Sequence, residues 1–293
     1  MSSLPLVRSR RGRLFSLTAV ATVVVALTVT GTLAWDARDR GEGGTRPTGG
    51  STTPVVTTSP TPPAGLAPPT VNVAVNGYYS WALLDRRTGA RYGSANMTVI
   101  NFTESMVKAW LASDYLRRTA EAGTEPPQSR LDQLVRMIRD SNDGAAESIW
   151  NLGGRDADIR RLISVCKLQD TKVFPEWWSQ TMISARDAVT MGECVANGTA
   201  AGPKWTPWVL NEMRNVRGEG RFGIVNALPG PQAATVAIKN GWTLHSGGTW
   251  HVNCLGIHDD WIIAVMTYYS GSLGLSYGAG ICEQVARQAL HLS

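Results

Sequence analysis

The sequence has few charged residues and no long run of lysine or arginine. Charged residues make up 17% of its 293 residues, and the net charge is only +5. Part of that surplus comes from a cluster of arginines near the N-terminus: Arg8, Arg10, Arg11 and Arg13. Proteins that bind nucleic acid normally carry a basic stripe or patch, and none is visible here. The composition therefore favours one globular domain with additional segments, and not a nucleic-acid-binding protein.

Charge is absent altogether from residues 14–35. A run of this length can cross the hydrocarbon core of a membrane, which needs about 20 residues. The arginines before it place residues 1–13 in the cytoplasm as a basic tail, so we predict a single-pass signal anchor. The alternative is a signal peptide cleaved after residues 32–34, which would release a secreted protein. No cysteine follows the run, so we do not expect a lipid anchor there.

Residues 36–70 have few apolar groups to bury and are rich in glycine, threonine, serine and proline. Such a composition predicts a disordered, semi-extended linker. The folded domain is then expected over residues 71–293. In both interpretations of the apolar run, this domain lies outside the cytoplasm.

The sequence contains only four cysteines, all in this exported part. An even number outside the cytoplasm predicts two disulfides, with three ways to pair them. We expect Cys166–Cys194 and Cys254–Cys282, because the members of each pair are close in sequence. The cysteine spacings are wide and the four histidines show no paired ligand pattern, so we predict no metal site and no cofactor.

Strand patterns lie at both ends of the folded part and helical patterns lie between them. Residues 71–84 alternate like a strand, 85–89 form a turn, and 250–257 and 261–269 are further strands. Helices are predicted at 131–139, 145–152, 156–165 and 184–195, with a closing helix at 278–291. No internal repeat is visible. We predict an α+β fold in which the N-terminal hairpin joins the C-terminal strands in one antiparallel sheet, flanked by helices and a helical lobe.

Three short motifs occur in order along this domain. Ser105 and Lys108 lie on a predicted helix at residues 101–116, with Thr103 as N-cap. Residues 141–143 read Ser-Asn-Asp between two helices, and residues 239–241 read Lys-Asn-Gly on a strand. Together they resemble the serine β-lactamase and penicillin-binding protein superfamily, most closely the class A β-lactamase catalytic domain. The resemblance covers about residues 71–293.

The resemblance implies a role for each of these positions. Ser105 would attack an amide carbonyl, and Lys108 would take its proton. Ser141 would pass a proton to the leaving nitrogen, and Lys239 would hold a substrate carboxylate. The oxyanion would bind the backbone N–H of Ser105 and that of a residue near Leu244.

Substrate binding is expected at the other positions of the second and third motifs. Gly241 would let the substrate lie close to the strand. Asp143 and Asn240 depart from the family, which has an amide at the first position and a hydroxyl residue at the second. The carboxylate of Asp143 can only accept hydrogen bonds when ionised, whereas the amide N–H of Asn240 could still serve a substrate.

A further departure concerns release of the acyl group. Class A enzymes use a loop glutamate in a Glu-x-x-Leu-Asn context, and Glu176 is the only glutamate in the equivalent region here. The alternative is a surface glutamate beside Trp177 and Trp178. His251, beside Trp250, is interpreted as a structural histidine, with a position facing the cleft as the alternative.

From these features we predict an extracytoplasmic serine hydrolase that acts on a β-lactam or a D-alanyl peptide through an acyl-Ser105 intermediate. Without a placed base, deacylation should be slow, as in penicillin-binding proteins. One alternative is a β-lactamase with unusual deacylation. The other is a cell-wall-binding module that keeps the fold and has lost turnover.

Overall fold

The computed structural model describes residues 65–292. The predicted basic tail, the predicted anchor and most of the predicted linker lie outside the described residues, so those predictions stand as predictions. Within the part that the structure describes, no helix is both long enough and apolar enough to cross a membrane.

The described residues form eight strands and eight α-helices. The strands are β1 (Tyr78–Asp85), β2 (Arg91–Gly93), β3 (Ile100–Phe102), β4 (Met182–Ser184), β5 (Ala237–Ile238), β6 (Gly241–Leu244), β7 (Thr249–Ile257) and β8 (Trp261–Ser270). The helices are α1 (Lys108–Glu121), α2 (Gln128–Arg139), α3 (Asp143–Leu152), α4 (Asp156–Val165), α5 (Ala185–Ala196), α6 (Gly202–Arg214), α7 (Gly230–Ala233) and α8 (Gly274–Ala289).

Six strands form one antiparallel sheet that joins the two ends of the domain. Its order is β2-β1-β8-β7-β5, and β6 pairs with β7 beyond the end of β5. β1 pairs along its whole length with β8, from Tyr78 opposite Tyr268 to Asp85 opposite Trp261. The predicted α+β class, with an N-terminal hairpin completing a C-terminal sheet, is confirmed.

Both faces of the central strands are covered, which explains why β7 is buried over residues 252–257 and β8 over residues 261–267. Neighbouring residues of a strand point to opposite faces. Cys254 on β7 is joined to Cys282 of α8, so that face carries the closing helix. Leu255, on the other face, lies beside Gly192 of α5. The helical lobe formed by α1 to α4 and α6 packs around the buried residues of α1.

Both predicted disulfides are present. Cys166–Cys194 joins the end of α4 to α5, and Cys254–Cys282 joins β7 to α8. The two S–S distances are 2.08 and 2.18 Å, and every cysteine of the sequence is used.

Several predicted boundaries differ from the structure. The strand expected at residues 71–84 begins only at Tyr78, and the closing helix expected at residues 278–291 begins already at Gly274. The helix expected at residues 101–116 begins only at Lys108, because residues 100–102 form β3, which pairs with β4. Thr103 does not cap a helix: its hydroxyl donates to the carbonyl of Ser179. The expected linker also ends earlier than residue 70, since the amide of Leu66 donates to the buried carboxylate of Asp85 at 2.7 Å.

Candidate active site

Ser105 and Lys108 lie in consecutive turns at the start of the helical lobe. Ser105 belongs to a 3₁₀ turn over Glu104–Val107, and Lys108 is the first residue of α1. The serine is partly exposed, whereas the lysine is fully buried. The spacing therefore places a hydroxyl at the surface of a cleft and an ammonium group beneath it.

Ser141 connects this lysine to a second one. Its Oγ atom accepts hydrogen bonds from the Nζ atoms of Lys108, at 3.2 Å, and Lys239, at 2.9 Å. Lys108 also donates to the carbonyl of Ser141 at 2.5 Å. Ser141 adopts a positive φ of 56°, a conformation that is strained for a residue with a side chain. The structure thus brings together Lys108, Ser141 and Lys239, which are distant in sequence.

Asp143 forms a direct ion pair with Lys108. Asn142 caps α3 by accepting a hydrogen bond from the amide of Ala145, which makes Asp143 the first residue of the helix. From there its Oδ1 atom lies 2.5 Å from the Nζ atom of Lys108. The carboxylate side chain is 80% exposed, so water screens part of this attraction.

Burial shifts the acid–base properties of both lysines. It lowers the pKa of Lys108, and the carboxylate of Asp143 offsets part of that fall. It lowers the pKa of Lys239 well below the usual value, and the nearby charge of Lys108 adds to the effect. A lysine with a lowered pKa can lose its proton near neutral pH and then act as a base.

Gly241 is the point at which β6 meets the turn that carries Ser105. A Cβ atom on Gly241 would lie 2.4 Å from the carbonyl oxygen of Thr103 and 2.8 Å from the amide nitrogen of Ser105. Real Cβ atoms do not approach backbone so closely. The missing side chain therefore makes room for this turn, and the room for a substrate that we expected here stays a prediction.

Asn240 is directed away from the cleft. It is fully buried, and its Nδ2 atom donates to the carbonyls of Gly220, at 3.0 Å, and Phe222, at 2.9 Å. Both amide hydrogens are used by these bonds, so neither is left for the substrate contact that we predicted.

The hydrogen-bond pattern of β6 identifies a second backbone N–H group, beside that of Ser105, that could donate to an oxyanion. The amide of His245 donates to the carbonyl of Thr249, and hydrogen-bonded positions of an antiparallel pair alternate along the strand. The N–H groups of Gly241 and Thr243 therefore face β7. Those of Trp242 and Leu244 face the edge of β6 that is not paired with β7. Trp242 directly follows the glycine in contact with Ser105, so its N–H is the closer candidate.

A cleft of about 380 Å³ lies over these groups. Its lining includes Ser105, Asp143, Glu147 and the aromatic rings of Trp177, Trp178 and Trp242. The ring of Trp178 lies 5.0 Å from the Nζ atom of Lys108, within the range of a cation–π contact. Trp177 is 56% exposed, so its ring is available to a ligand. Among the described residues, the Ser105 hydroxyl has no hydrogen-bond partner in the protein.

Two glutamates line the cleft, Glu104 and Glu147. The Oε2 atom of Glu147 accepts a hydrogen bond from the indole of Trp178 at 3.0 Å. Glu176, the residue singled out from the sequence, is exposed and does not line this cleft. Glu147 follows Asp143 by one helical turn, and that spacing is the signal that could have identified it.

Glu104, directly before Ser105, contacts the β6–β7 hairpin. Its carboxylate accepts a hydrogen bond from the hydroxyl of Thr243 at 2.7 Å and lies 2.7 Å from the Nε2 atom of His245. Burial raises the pKa of Glu104. Burial also lowers the pKa of His251, on the neighbouring strand, to about 4. No pattern in the sequence singles out Glu104 or His245.

The fold is that of the serine β-lactamases. A β-lactamase from Chitinophaga pinensis shares 14% identity, with 73% of this chain and 93% of that chain aligned and a TM-score of 0.62. A class A β-lactamase from Bacteroides cellulosilyticus shares 12% identity, with 74% and 91% aligned and a TM-score of 0.63. At such identities the likeness concerns the fold alone.

The names of the sequence relatives do not describe an activity. The chain is 28% identical over 186 residues to a protein named "Putative lipoprotein LppW" in Mycobacterium tuberculosis and Mycobacterium bovis. The match covers 60% of this chain and 58% of the relative's length. No protein-family model matches the sequence.

Replacing Gly241 by alanine should disturb the turn that carries Ser105. The added methyl group meets backbone atoms of Thr103 and Ser105, which cannot rotate away, so we expect a loss of about 1–3 kcal/mol in unfolding free energy. Urea denaturation measures this loss. Gly247→Ala is the control, because a Cβ at Gly247 meets no atom within 4 Å. Equal stability of the two variants would contradict the close approach.

Proposed function

We propose that this protein is an extracytoplasmic serine hydrolase that forms an acyl-Ser105 intermediate with a β-lactam or a D-alanyl peptide amide. The observation that carries the proposal is the pair of hydrogen bonds from Lys108 and Lys239 to the Ser141 hydroxyl, beside a partly exposed Ser105. The β-lactamase fold supports the substrate class, since the structural relatives are named as β-lactamases.

The first step is attack on the carbonyl carbon. A neutral Lys108 removes the hydroxyl proton of Ser105, directly or through a water, as the Oγ–C bond forms. The negative charge that develops on the carbonyl oxygen is stabilised by the backbone N–H groups of Ser105 and Trp242. The C–N bond then breaks, and the leaving nitrogen takes a proton from the Ser141 hydroxyl. Lys239 or Lys108 returns a proton to Ser141.

The ion pair with Asp143 limits this step. A carboxylate 2.5 Å from Nζ favours the charged form of Lys108, which has no lone pair to accept a proton. An amide at this position would accept a hydrogen bond without adding negative charge. We therefore propose that acylation is slow at neutral pH and that it accelerates as the pH rises.

Location outside the cytoplasm is supported by the two disulfides and by the lipoprotein relative. Disulfides persist in oxidising compartments and are rare in the cytosol. We propose that residues 14–35 hold the domain at the membrane and that residues 36–64 act as a spacer. This arrangement would place the cleft beside the cell wall.

The second candidate function is that of a β-lactamase with an unusual deacylating residue. Glu147 favours it, because this carboxylate lines the cleft and the indole N–H of Trp178 fixes its position. A carboxylate in this position can remove a proton from the water that attacks the acyl-Ser105 ester.

Labelling with a fluorescent penicillin tests acylation. We expect a covalent adduct on the purified chain, mapped to Ser105 by mass spectrometry, and its complete loss in Ser105→Ala. Ser179→Ala is the matched control, because Ser179 lines the same cleft and should leave labelling intact. A persistent adduct supports the penicillin-binding type, and rapid hydrolysis of a chromogenic cephalosporin supports the β-lactamase. Labelling that survives in Ser105→Ala would exclude acyl-Ser105. No labelling with any substrate tried would favour a binding module.

The pH dependence of acylation tests the role of Asp143. The rate should rise as Lys108 loses its proton, with a midpoint below the ordinary lysine pKa of about 10.4. Asp143→Asn removes the charge that holds this pKa up, so the midpoint should move to lower pH. Each unit of that shift gives about tenfold more neutral lysine at pH 7. Stopped-flow labelling measures the acylation rate at each pH, and the exposed Asp132→Asn variant is the control. Identical pH profiles in all three proteins would rule out Lys108 as the base.

The lifetime of the adduct separates the two glutamates. Glu147→Gln keeps an oxygen that can accept the hydrogen bond from Trp178 but removes the base, so we expect deacylation to slow by roughly 10²-fold or more. Glu176→Gln is the control and should leave the lifetime unchanged. The reverse pattern would move the role to Glu176. No change in either variant would mean that neither carboxylate assists.

A further inference from the structure

Three side chains that are ligands of metals in many proteins converge beside the Ser105 turn. They are Glu104, His245 and His251, and each offers one ligand atom within 4.8 Å of the other two. Glu104 precedes Ser105, His245 follows β6, and His251 lies on β7 opposite Thr243. The β6–β7 hairpin and the 3₁₀ turn thus supply the three groups from separate segments of the chain.

The contacts among these groups are already close. The carboxylate Oε1 of Glu104 lies 2.7 Å from the Nε2 atom of His245, and the two imidazole ring centres are 4.6 Å apart. The rings of Phe102 and Tyr268 stack on His251, at 5.3 and 5.8 Å. These contacts restrict the orientation of the ligands before any ion arrives.

Two polar groups of the cluster are poorly compensated. The buried Nδ1 atom of His251 has no hydrogen-bond partner in the part of the chain that the structure describes. Glu104 is only 2% exposed, and among the described residues its ion-pair partner is His245, which is charged only when protonated. Buried carboxylates normally pair with a cation or coordinate a metal.

We propose that Glu104, His245 and His251 bind a divalent transition-metal ion, with Zn²⁺ as the preferred ion. Two imidazole nitrogens and one carboxylate oxygen are a frequent zinc ligand set, and imidazole also suits the neighbouring transition metals. On binding, the ion replaces the hydrogen between His245 Nε2 and Glu104. The imidazole of His245 then carries its hydrogen on Nδ1. The Thr243 hydroxyl, 2.7 Å from Oε2, orients the carboxylate from outside the coordination shell.

An entry route lies directly beside the cluster. His245 and His251 line a groove of about 470 Å³ that also includes Phe102 and Tyr268. Three protein ligands leave one position of a tetrahedral ion open, and this groove provides room for a water there. The bound ion ties the residue before Ser105 to the β6–β7 hairpin. The inference does not depend on the proposed acylation, because zinc binding is measured without any substrate.

Zinc titration of the chelator-treated full-length chain tests the site. Calorimetry should show one Zn²⁺ per chain, and Co²⁺ should give the visible absorption of a four-coordinate site with nitrogen and oxygen ligands. His251→Phe keeps an aromatic ring between Phe102 and Tyr268 but removes the ligand. We expect it to weaken binding by at least about tenfold, and Glu104→Gln should do the same.

His258→Phe is the matched control, because His258 also stacks on an aromatic ring, that of Trp261, and lies outside the cluster. It should bind zinc like the unaltered chain. Circular dichroism checks folding, and Glu104→Gln carries the test if His251→Phe does not fold. Absence of saturable binding at millimolar zinc would overturn the site. Binding that survives both cluster variants, or falls equally in His258→Phe, would overturn it as well.

Discussion

One hydroxyl oxygen shared by two buried lysines is the interaction on which the site depends. Ser141 Oγ lies where α1, the loop before α3 and the junction of β5 with β6 meet, and it accepts from Lys108 and Lys239. Burying two ammonium groups together is costly, because each loses water and each repels the other. The nearby anion, Asp143, is largely exposed and compensates only in part. The surrounding packing must therefore hold the lysines in place.

Local patterns in the sequence predicted most of the fold. The helix expected at residues 156–165 has the same bounds in the structure, and Ser184 caps α5 by accepting a hydrogen bond from the amide of Asp187. The pairing of the cysteines also followed from proximity in sequence. Periodicity and capping are properties of a short segment, so a sequence reports them directly. The order of the three motifs then indicated which segments would meet.

Contacts between distant segments could not be predicted in this way. Phe102 looked like part of a helix because nothing nearby reveals its pairing with Met182 on β4. Glu104 and His245 are 141 residues apart, and the spacing of the four histidines hid the pair that the hairpin brings together. Asn240 is a polar residue in a strand motif, and only the carbonyls of Gly220 and Phe222 explain its burial.

Glu104 ties the turn that carries Ser105 to the β6–β7 hairpin. A carboxylate with 2% exposure cannot leave its partners on the β6–β7 hairpin without losing hydrogen bonds in a place where little water can replace them. The same turn is pressed against Gly241 by backbone contacts on its other side. Glu104 has a positive φ of 49°, which is strained and persists only because these contacts determine it. These contacts set the position of Ser105 relative to the N–H of Trp242, and a fixed relation between two donors is what the proposed stabilisation of an oxyanion requires.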